Sequence, residues 1–588
     1  FSNSGLLIWS TYFGGGNYEV GNSLKCDIAG NIYITGMTFS TNFPVMFLAG
    51  AYNDATYAGG VLGDVFVARF SNSGTLTWAT YFGGTGKDCG EGIAFDGSNN
   101  IYVTGFTESA NFPMQNLPGA YNDNTLGGTR DIFILKFSSS CALNWSTYYG
   151  GTGSDGNSWM SSIVCDGSNN VYIVSDSNGG FPTQTLAGGY NDNVFEGGFS
   201  LDAVILKFNN SGACVWATYY GGAGDELGTS IRCDLSGNLY VEGTTNSTSV
   251  SFLTVPWGSA YYQSALGGGS DIFILRFTNA GVLTWATYYG GSLNERIQTA
   301  DNIEIDDCGN VYVSFETLST NIFTAGNAGC VQSYYDPSFN GGSFGGDLFI
   351  IKFNNVGSVL WATYFGGSGN DVREALALDN GGNLFITGEW IGVIATENSY
   401  PIINPGSGAY YDNTANGVDD GYIAKFIPVV PGKTQSQVNS SACGPCNGSA
   451  TITLTCSEAD FNYTWSNGSS TLNSSNSSNT ITGLCVGSYT VTVTSNCNQS
   501  QTATFNITGA PCLPCNLTGQ YTKGTAACAG CGCKEWILIN ATGGAGPYSY
   551  SWPDGYVSRY KNQLCPGTYT INIKDKNGCS VNVNLSAP

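Results

Sequence analysis

The sequence predicts an all-β chain: a six-bladed β-propeller of four-stranded blades, its N-terminal strand closing the last blade, followed by two small disulfide-rich immunoglobulin-like β-sandwich modules. Three observations carry this expectation. A block of four strand-like segments recurs six times. The chain opens on the fourth segment of such a block, and the repeat region closes on the third. Eight of the twenty cysteines lie in residues 1–427 and twelve in the remainder, where small cores need covalent support.

The repeat is anchored by W-[AS]-T-Y-[FY]-G-G at Trp9, Trp78, Trp145, Trp216, Trp285 and Trp361. After each copy comes a run ending in Asp27, Asp96, Asp166, Asp234, Asp306 or Asp379, then a run of the type N-I-Y-V-T-G. The last segment is D-x-[FVY]-x-x-[KR]-F, beginning at Asp64, Asp131, Asp202, Asp271, Asp347 and Asp420. Each segment is rich in β-branched and aromatic residues over a strand's length, so each reads as a strand. Between the first two, Asp and Asn stand four apart with Gly or Asn before the second, the chemistry of a tight turn closed by a left-handed residue. Four antiparallel strands repeated radially make a propeller. Leu6–Phe13 is a fourth strand without a blade, and the last blade lacks its fourth strand. Joining them gives six blades and covers two exposed edges.

Composition narrows the function. A chain of 588 residues implies several domains. Only 10% of residues are charged, against a typical quarter, while 83 are glycine, which suits many short strands and turns. No apolar run is long enough for a membrane-spanning helix. A net charge of −23 disfavours nucleic acid as a partner. The absence of histidine removes Ser-His-Asp and Cys-His catalysis and His-ligated zinc. The cysteine content points to an oxidising compartment. Phe1 opens without a secretory signal, as expected of a mature or truncated chain.

In W-A-T-Y-F-G-G, G-N-I-Y-V-T-G and D-I-F-I-L-K-F the first 427 residues resemble the SBBP family of bacterial β-propeller repeats. The resemblance implies a secreted or surface protein. That family's name implies seven blades, whereas this chain supplies six.

Two sets of residues are candidate binding positions. The loops between second and third strands run about 20 to 35 residues, and several share a motif: Tyr52-Asn53-Asp54, Tyr121-Asn122-Asp123, Tyr190-Asn191-Asp192 and A-Y-Y-D at 409–412. They are read as structural turns or as contacts to a ligand or Ca²⁺. Five residues after the first glycine of each G-G pair stands an acid: Glu19, Asp88, Asp155, Glu226, Glu295 and Asp371. These six should ring the channel mouth, where they would hold Ca²⁺ or a cationic ligand, or accept hydrogen bonds that lock neighbouring blades. No other cofactor is expected. The tryptophans read as packing rather than a sugar platform.

Residues 428–440 read as a linker, with the modules at 441–510 and 511–588. Each module has a tryptophan strand, Y-T-W-S-N-G or Y-S-W-P-D-G, and an L-C-x-G-x-Y-T strand, which suggests small sandwiches. In these segments the modules resemble SprB repeats of surface adhesins in gliding Bacteroidetes. That resemblance implies type IX secretion and a role in adhesion or gliding. The first module lacks the G-G-x-x-P-Y-x-Y lead of the second. The disulfide candidates are Cys443, Cys446, Cys456, Cys485, Cys497, Cys512, Cys515, Cys528, Cys531, Cys533, Cys565 and Cys579. Paired C-x-x-C spacings leave zinc as the rival reading. Cys485 and Cys497 flank one strand, a span of about 20 Å or more, so each must pair elsewhere; Cys565 and Cys579 obey the same limit.

The expected function is therefore a non-enzymatic, extracellular adhesin or appendage component, whose partners are a cell-surface protein or glycan, or sister subunits. A purely structural subunit is the alternative. A carboxylate-based glycan-active enzyme needs one facing acid pair, and acids repeated in every blade count against it.

Overall fold

The structure, a computed structural model, describes the chain except residues 1, 3–4, 157–159, 199, 249–251, 327–333, 342–344, 392–400, 407–408, 413–418, 428–431, 441–445, 456–460, 475, 496–499, 510–514, 526–531 and 588. Among the described residues there are strands and turns but no helix, so none is long and apolar enough to cross a membrane. The chain forms two compact units, Phe1–Val429 and Val430–Pro588.

The first unit holds six antiparallel sheets, each a simple meander. Sheet one is Glu19–Cys26, Ile32–Thr38, Asp64–Phe70 and Leu76–Phe82; sheet two is Asp88–Phe95, Ile101–Thr107, Asp131–Phe137 and Leu143–Tyr149. Sheet three (Ser162–Cys165 to Cys214–Tyr220) and sheet four (Glu226–Cys233 to Leu283–Tyr289) repeat the order. In sheet five the first strand is split into Glu295–Arg296 and Ile303–Ile305, and sheet six has three strands, Asn370–Leu378, Leu384–Ile391 and Asp419–Phe426.

The predicted Asp–Asn turns form as expected. Asp27 Oδ1 accepts the N–H groups of Ala29 and Asn31, and the Asn31 amide donates to Asp27 Oδ2. The same bonds recur from Asp96/Asn100 to Asp379/Asn383. The residue that closes each turn, Gly30 or Asn99 for example, has positive φ.

Sheets pack on one another through the motif aromatics. Trp78 meets Phe137 of the next sheet edge-on, and Trp145–Phe208, Trp216–Phe277 and Trp285–Phe353 repeat the contact. Each of these indoles is buried and donates its N–H to the tyrosine carbonyl of its own long loop, Tyr52 in sheet one. Along each sheet a basic residue of the third strand lies over an aromatic ring of the second, from Arg69 over Tyr33 to Lys425 over Phe385. This arrangement is worth about 0.5–1 kcal/mol per pair at exposed sites.

One expectation is corrected. Leu6–Phe13 is not a strand and joins no ladder with sheet six. Trp9 and Phe13 instead pack on Phe70, Phe43 and Phe66 of sheet one, the place Trp78 and Phe82 take on sheet two. The tryptophan contact is made with the following sheet, and it holds the segment there without a ladder. The Gly5 carbonyl, just before that segment, accepts the Tyr410 N–H from the long loop of sheet six, yet parts of the faces on either side stay exposed. Leu24 is 51% exposed, although its counterparts Ile93 and Ile231 are buried. Ile423 is 63% exposed, whereas Val67, Ile134, Ile205, Ile274 and Ile350 are wholly buried.

The second unit contains two sandwiches. In the first, Gly432–Val438, Gly448–Thr455 and Ser478–Leu484 form one sheet, and Ser470–Ser474, Phe461–Trp465, Gly487–Ser495 and Ser500–Ile507 the other. Ile452, Tyr463, Trp465, Val491 and Phe505 fill the core between them. The second pairs Thr518–Thr525, Glu535–Thr542 and Tyr560–Leu564 against Ser549–Ser551, Gly567–Lys574 and Ser580–Ala587 around Trp552, Ile537 and Ile571. The expected linker is thus partly structural, because Gly432–Val438 is an edge strand paired with Gly448–Thr455. It carries no apolar alternation because its described side chains are exposed on both faces, and the ladder alone holds it. Among the described residues three disulfides tie the unit: Cys446–Cys485, Cys515–Cys579 and Cys533–Cys565. Cys446 and Cys515 therefore cannot be zinc thiolates. Cys443, Cys456, Cys497, Cys512, Cys528 and Cys531 lie outside the described residues.

Candidate functional site

The acids that follow the glycine pairs lie at the junctions between sheets. Asp88, Asp155, Glu226, Glu295 and Asp371 are wholly buried, whereas Glu19 is partly exposed. Their bonding is repetitive. Asp88 accepts the Gly84 N–H and the hydroxyls of Thr107 and Ser109; Glu226 accepts the Gly222 N–H and Thr245, and Glu295 the Gly291 N–H and Thr317. Asp155 and Asp371 accept from Gly151 and Gly367, and Glu19 accepts Thr38. Asp88, Glu226 and Glu295 thus tie the glycine loop to the second strand of their own sheet.

A second carboxylate stands beside each buried one, and sequence reasoning did not assign it to the site. It is the aspartate that opens the third strand of the preceding sheet: Asp64 beside Asp88, Asp131 beside Asp155, Asp202 beside Glu226, Asp271 beside Glu295, Asp347 beside Asp371. The pairs flank the first glycine of each G-G. A Cβ at Gly83 would lie 2.8 Å from both Asp64 Oδ1 and Asp88 Oδ2, and one at Gly150 would lie 2.4 Å from Asp131 Oδ1 and 2.6 Å from Asp155 Oδ2. The glycine is required by this squeeze. Gly150→Ala should cost about 1–3 kcal/mol, read as a lower melting temperature in calorimetry; a neutral result would remove the close approach.

Burial with a like charge nearby disfavours ionisation. Burial pushes Asp64, Asp155, Asp202, Glu295, Asp347 and Asp371 up to about 7, and Asp88 and Asp131 up to about 6. Glu226 and Asp271 rise for the same reason. Asp64 Oδ1, Asp131 Oδ1, Asp202 Oδ1 and Asp347 Oδ1 accept no hydrogen bond among the described residues.

The Tyr-Asn-Asp motifs hold their own loops. Asn53 accepts the Leu48 N–H and donates to the Leu48 and Ala51 carbonyls, Asp54 accepts the Thr56 N–H, and the Tyr52 ring packs on Phe82. Asn122/Asp123 and Asn191/Asp192 repeat these bonds, and the Tyr121 and Tyr190 rings pack on Tyr149 and Tyr220. The Tyr52 N–H donates to the Cys141 carbonyl of the next sheet, as Tyr121 does to Gly212. The motif aspartates share their long loops with the third-strand junction acids, and Asp54, Asp123 and Asp192 each raise the neighbouring Asp64, Asp131 or Asp202.

Deeper along the first strands lies an ion cluster that no repeat motif announces. Asp301 pairs with Arg232 of sheet four at 2.7 Å and with Lys25 of sheet one at 3.6 Å, and Arg232 also pairs with Glu304 at 3.0 Å. The Lys25 and Arg232 cations hold Asp301 well below the usual carboxylate range despite its burial. Asp301 belongs to an insertion: eleven residues separate Glu295 from Asp306, against eight between Asp88 and Asp96. Counting that spacing flags sheet five together with sheet three, where Asp155 and Asp166 are also eleven apart. Among the described residues no three acidic or cysteine side chains converge closely enough to hold a metal by themselves.

Residues 8–44, 77–113 and 215–249 each match the family SBBP, described as a Beta-propeller repeat. Three segments of the first unit thus resemble SBBP propeller repeats. A curated relative, an uncharacterized WD repeat-containing protein of Acanthamoeba polyphaga mimivirus, is 22% identical over 434 residues, 62% of this chain and 28% of that protein. The chain thus spans less than a third of that relative's length. Solved structures that the chain resembles include a protein of unknown function from Dyadobacter fermentans, 10% identical with a TM-score of 0.32 over 64% of this chain and 92% of that one. A variant of Synechocystis apocarotenoid oxygenase is 9% identical, with a TM-score of 0.29 over 84% of this chain and 94% of its own. Neither likeness bears on activity.

Proposed function

We propose that this protein is an extracellular, non-enzymatic adhesin or appendage component, its six SBBP sheets acting as blades of one propeller that binds through the long-loop face. The observation that carries the reading is the apolar character of those loops. Phe47, Val61, Val194, Leu253, Phe323 and Ile403 are each about half exposed or more. The polar groups of the Tyr-Asn-Asp motifs, by contrast, are largely spent on holding the loops. Loops fixed from within and apolar outside suit contact with a cell-surface protein, a glycan or a sister subunit. The three disulfides of the second unit support an oxidising location. The two sandwiches, with their SprB-like segments, serve as spacers, and type IX secretion is the route this resemblance suggests. The lack of histidine and the equivalence of the junction acids support the absence of catalysis.

The test uses Phe47→Ser, Val194→Ser and Phe323→Ser together in the full chain. Binding to intact cells, to a glycan array and to immobilised copies of itself is measured beside the wild type. The variant should lose at least tenfold in one of these assays at an unchanged melting temperature. Full binding in all three would exclude the loop face, and turnover of any arrayed glycan would exclude the non-enzymatic reading.

A further inference from the structure

Residues repeated in every sheet build the sheets, so departures from the repeat mark individual sites. The fourth residue of the second strand is Thr35 in sheet one, Thr104 in sheet two and Thr387 in sheet six. Each hydroxyl donates to a third-strand carbonyl, of Phe66, Phe133 and Tyr422 respectively. Sheet four has Glu242 there. It is wholly buried, and neither of its oxygens has a hydrogen-bond partner among the described residues. Ser314 takes the position in sheet five, wholly buried, with its hydroxyl also unpartnered. From sheet six comes Glu374, buried, with Oε2 unpartnered.

Asn302 connects the three. Its N–H donates to Ser230 Oγ at 2.9 Å, and Ser230 lies opposite Glu242 in the ladder. Its amide nitrogen donates to Glu374 Oε1 at 3.0 Å and to the Ser314 carbonyl at 3.3 Å. Burial lifts Glu242 far above the carboxylate range and Glu374 up to about 8; Glu374 raises Glu242 further, and Glu316 raises Glu374. Around this hub five acids (Glu242, Asp301, Glu304, Glu316 and Glu374) face three bases (Lys25, Arg232 and Arg296), so that with every acid ionised two negative charges are left over. Arg232 is already committed to Asp301, Glu304 and the Ile231 carbonyl.

We propose that Glu242, Ser314 and Glu374 bind one divalent metal cation of the Ca²⁺ class at the centre of the propeller unit, a role separate from loop-face binding. Four buried side-chain oxygens of these three residues, linked through Asn302, have no hydrogen-bond partner among the described residues. A divalent ion offsets the surplus charge. The donors are all oxygen, which selects hard cations over zinc or copper, and with two carboxylates and a hydroxyl water must complete the shell. The cation ties sheets four, five and six.

The experiment titrates the chelator-stripped full chain with Ca²⁺, and separately with Mg²⁺, by isothermal calorimetry near neutral pH. Melting temperature is followed in parallel. Wild type should bind one ion per chain and melt a few degrees higher with excess Ca²⁺. Glu242→Thr, which restores the residue of the repeat, should lose at least tenfold in affinity and the melting shift with it. If that variant does not fold, Ser314→Ala should weaken binding severalfold without changing the charge. Absence of both heat and shift in the wild type would overturn the proposal. So would undiminished binding by Glu242→Thr, or loss of the ion in Asp88→Asn instead, which would move it to the sheet junctions.

Discussion

Lowering the pH from about 8 to about 5 should raise the melting temperature of the propeller unit by at least ~5 °C. The buried acids of the sheet junctions have folded-state pKa values of about 6 to 7, and Glu91 and Glu374 are pushed up to about 8 by burial. In the unfolded chain such groups titrate near 4. A group raised on folding contributes its stability in full below the unfolded value and loses it as pH rises through the folded value. The loss therefore runs from about pH 4, where the unfolded chain ionises, up to about pH 8. Asp301 has the opposite sign, since its pKa is depressed and its contribution disappears only in strong acid. Circular dichroism melts in a chelating buffer keep any metal effect apart. Asp64→Asn should flatten the profile, and a melting temperature that climbs toward pH 8 would refute the paired-acid account.

Reduction should act on the other unit. The bridges Cys446–Cys485, Cys515–Cys579 and Cys533–Cys565 close separations of 39, 64 and 32 residues. Loops of that size are worth about 3–5 kcal/mol each in the chain-entropy picture. Small sandwiches have little core with which to compensate. Under a strong reductant the sandwiches should lose their amide-exchange protection at temperatures where the propeller keeps its own. In the propeller unit Cys26, Cys89, Cys141, Cys165, Cys214 and Cys233 are already free thiols, although Cys308 is bonded. Equal loss in both units would contradict this division.

Most of the propeller was legible because its physics is local. A W-A-T-Y run, an Asp–Asn turn and a D-x-F-x-x-K-F run each specify a strand or turn from neighbouring residues, and all recur in the sheets. Partners distant in sequence were less visible. Asp88 stood out by its spacing from the glycine pair, but Asp64 belongs to another sheet, and nothing local announces that they meet across Gly83. Leu6–Phe13 has strand composition, yet composition does not name the edge a strand will meet. Gly432–Val438 failed in the opposite way, since an edge strand wet on both faces shows no periodicity. Cys485 and Cys565 were limited by the reach of an extended strand, and both pair outside it. Glu242 and Asp301 were readable only as departures from the repeat, and such departures emerge after the repeat itself is understood.

The open faces at Leu24 and Ile423 bear on how the unit comes apart. Sheets two to five are sandwiched between neighbouring sheets, whereas the outer side of sheet one carries only the Trp9–Phe13 segment and sheet six leaves Ile423 exposed. Stability then resembles that of a linear array, in which end members are held by one interface and interior members by two. Opening would begin at that seam and travel inward, sheets three and four letting go last. Asp301, reaching to Lys25 of sheet one, is a clasp across that seam, shortening the distance over which fraying can spread.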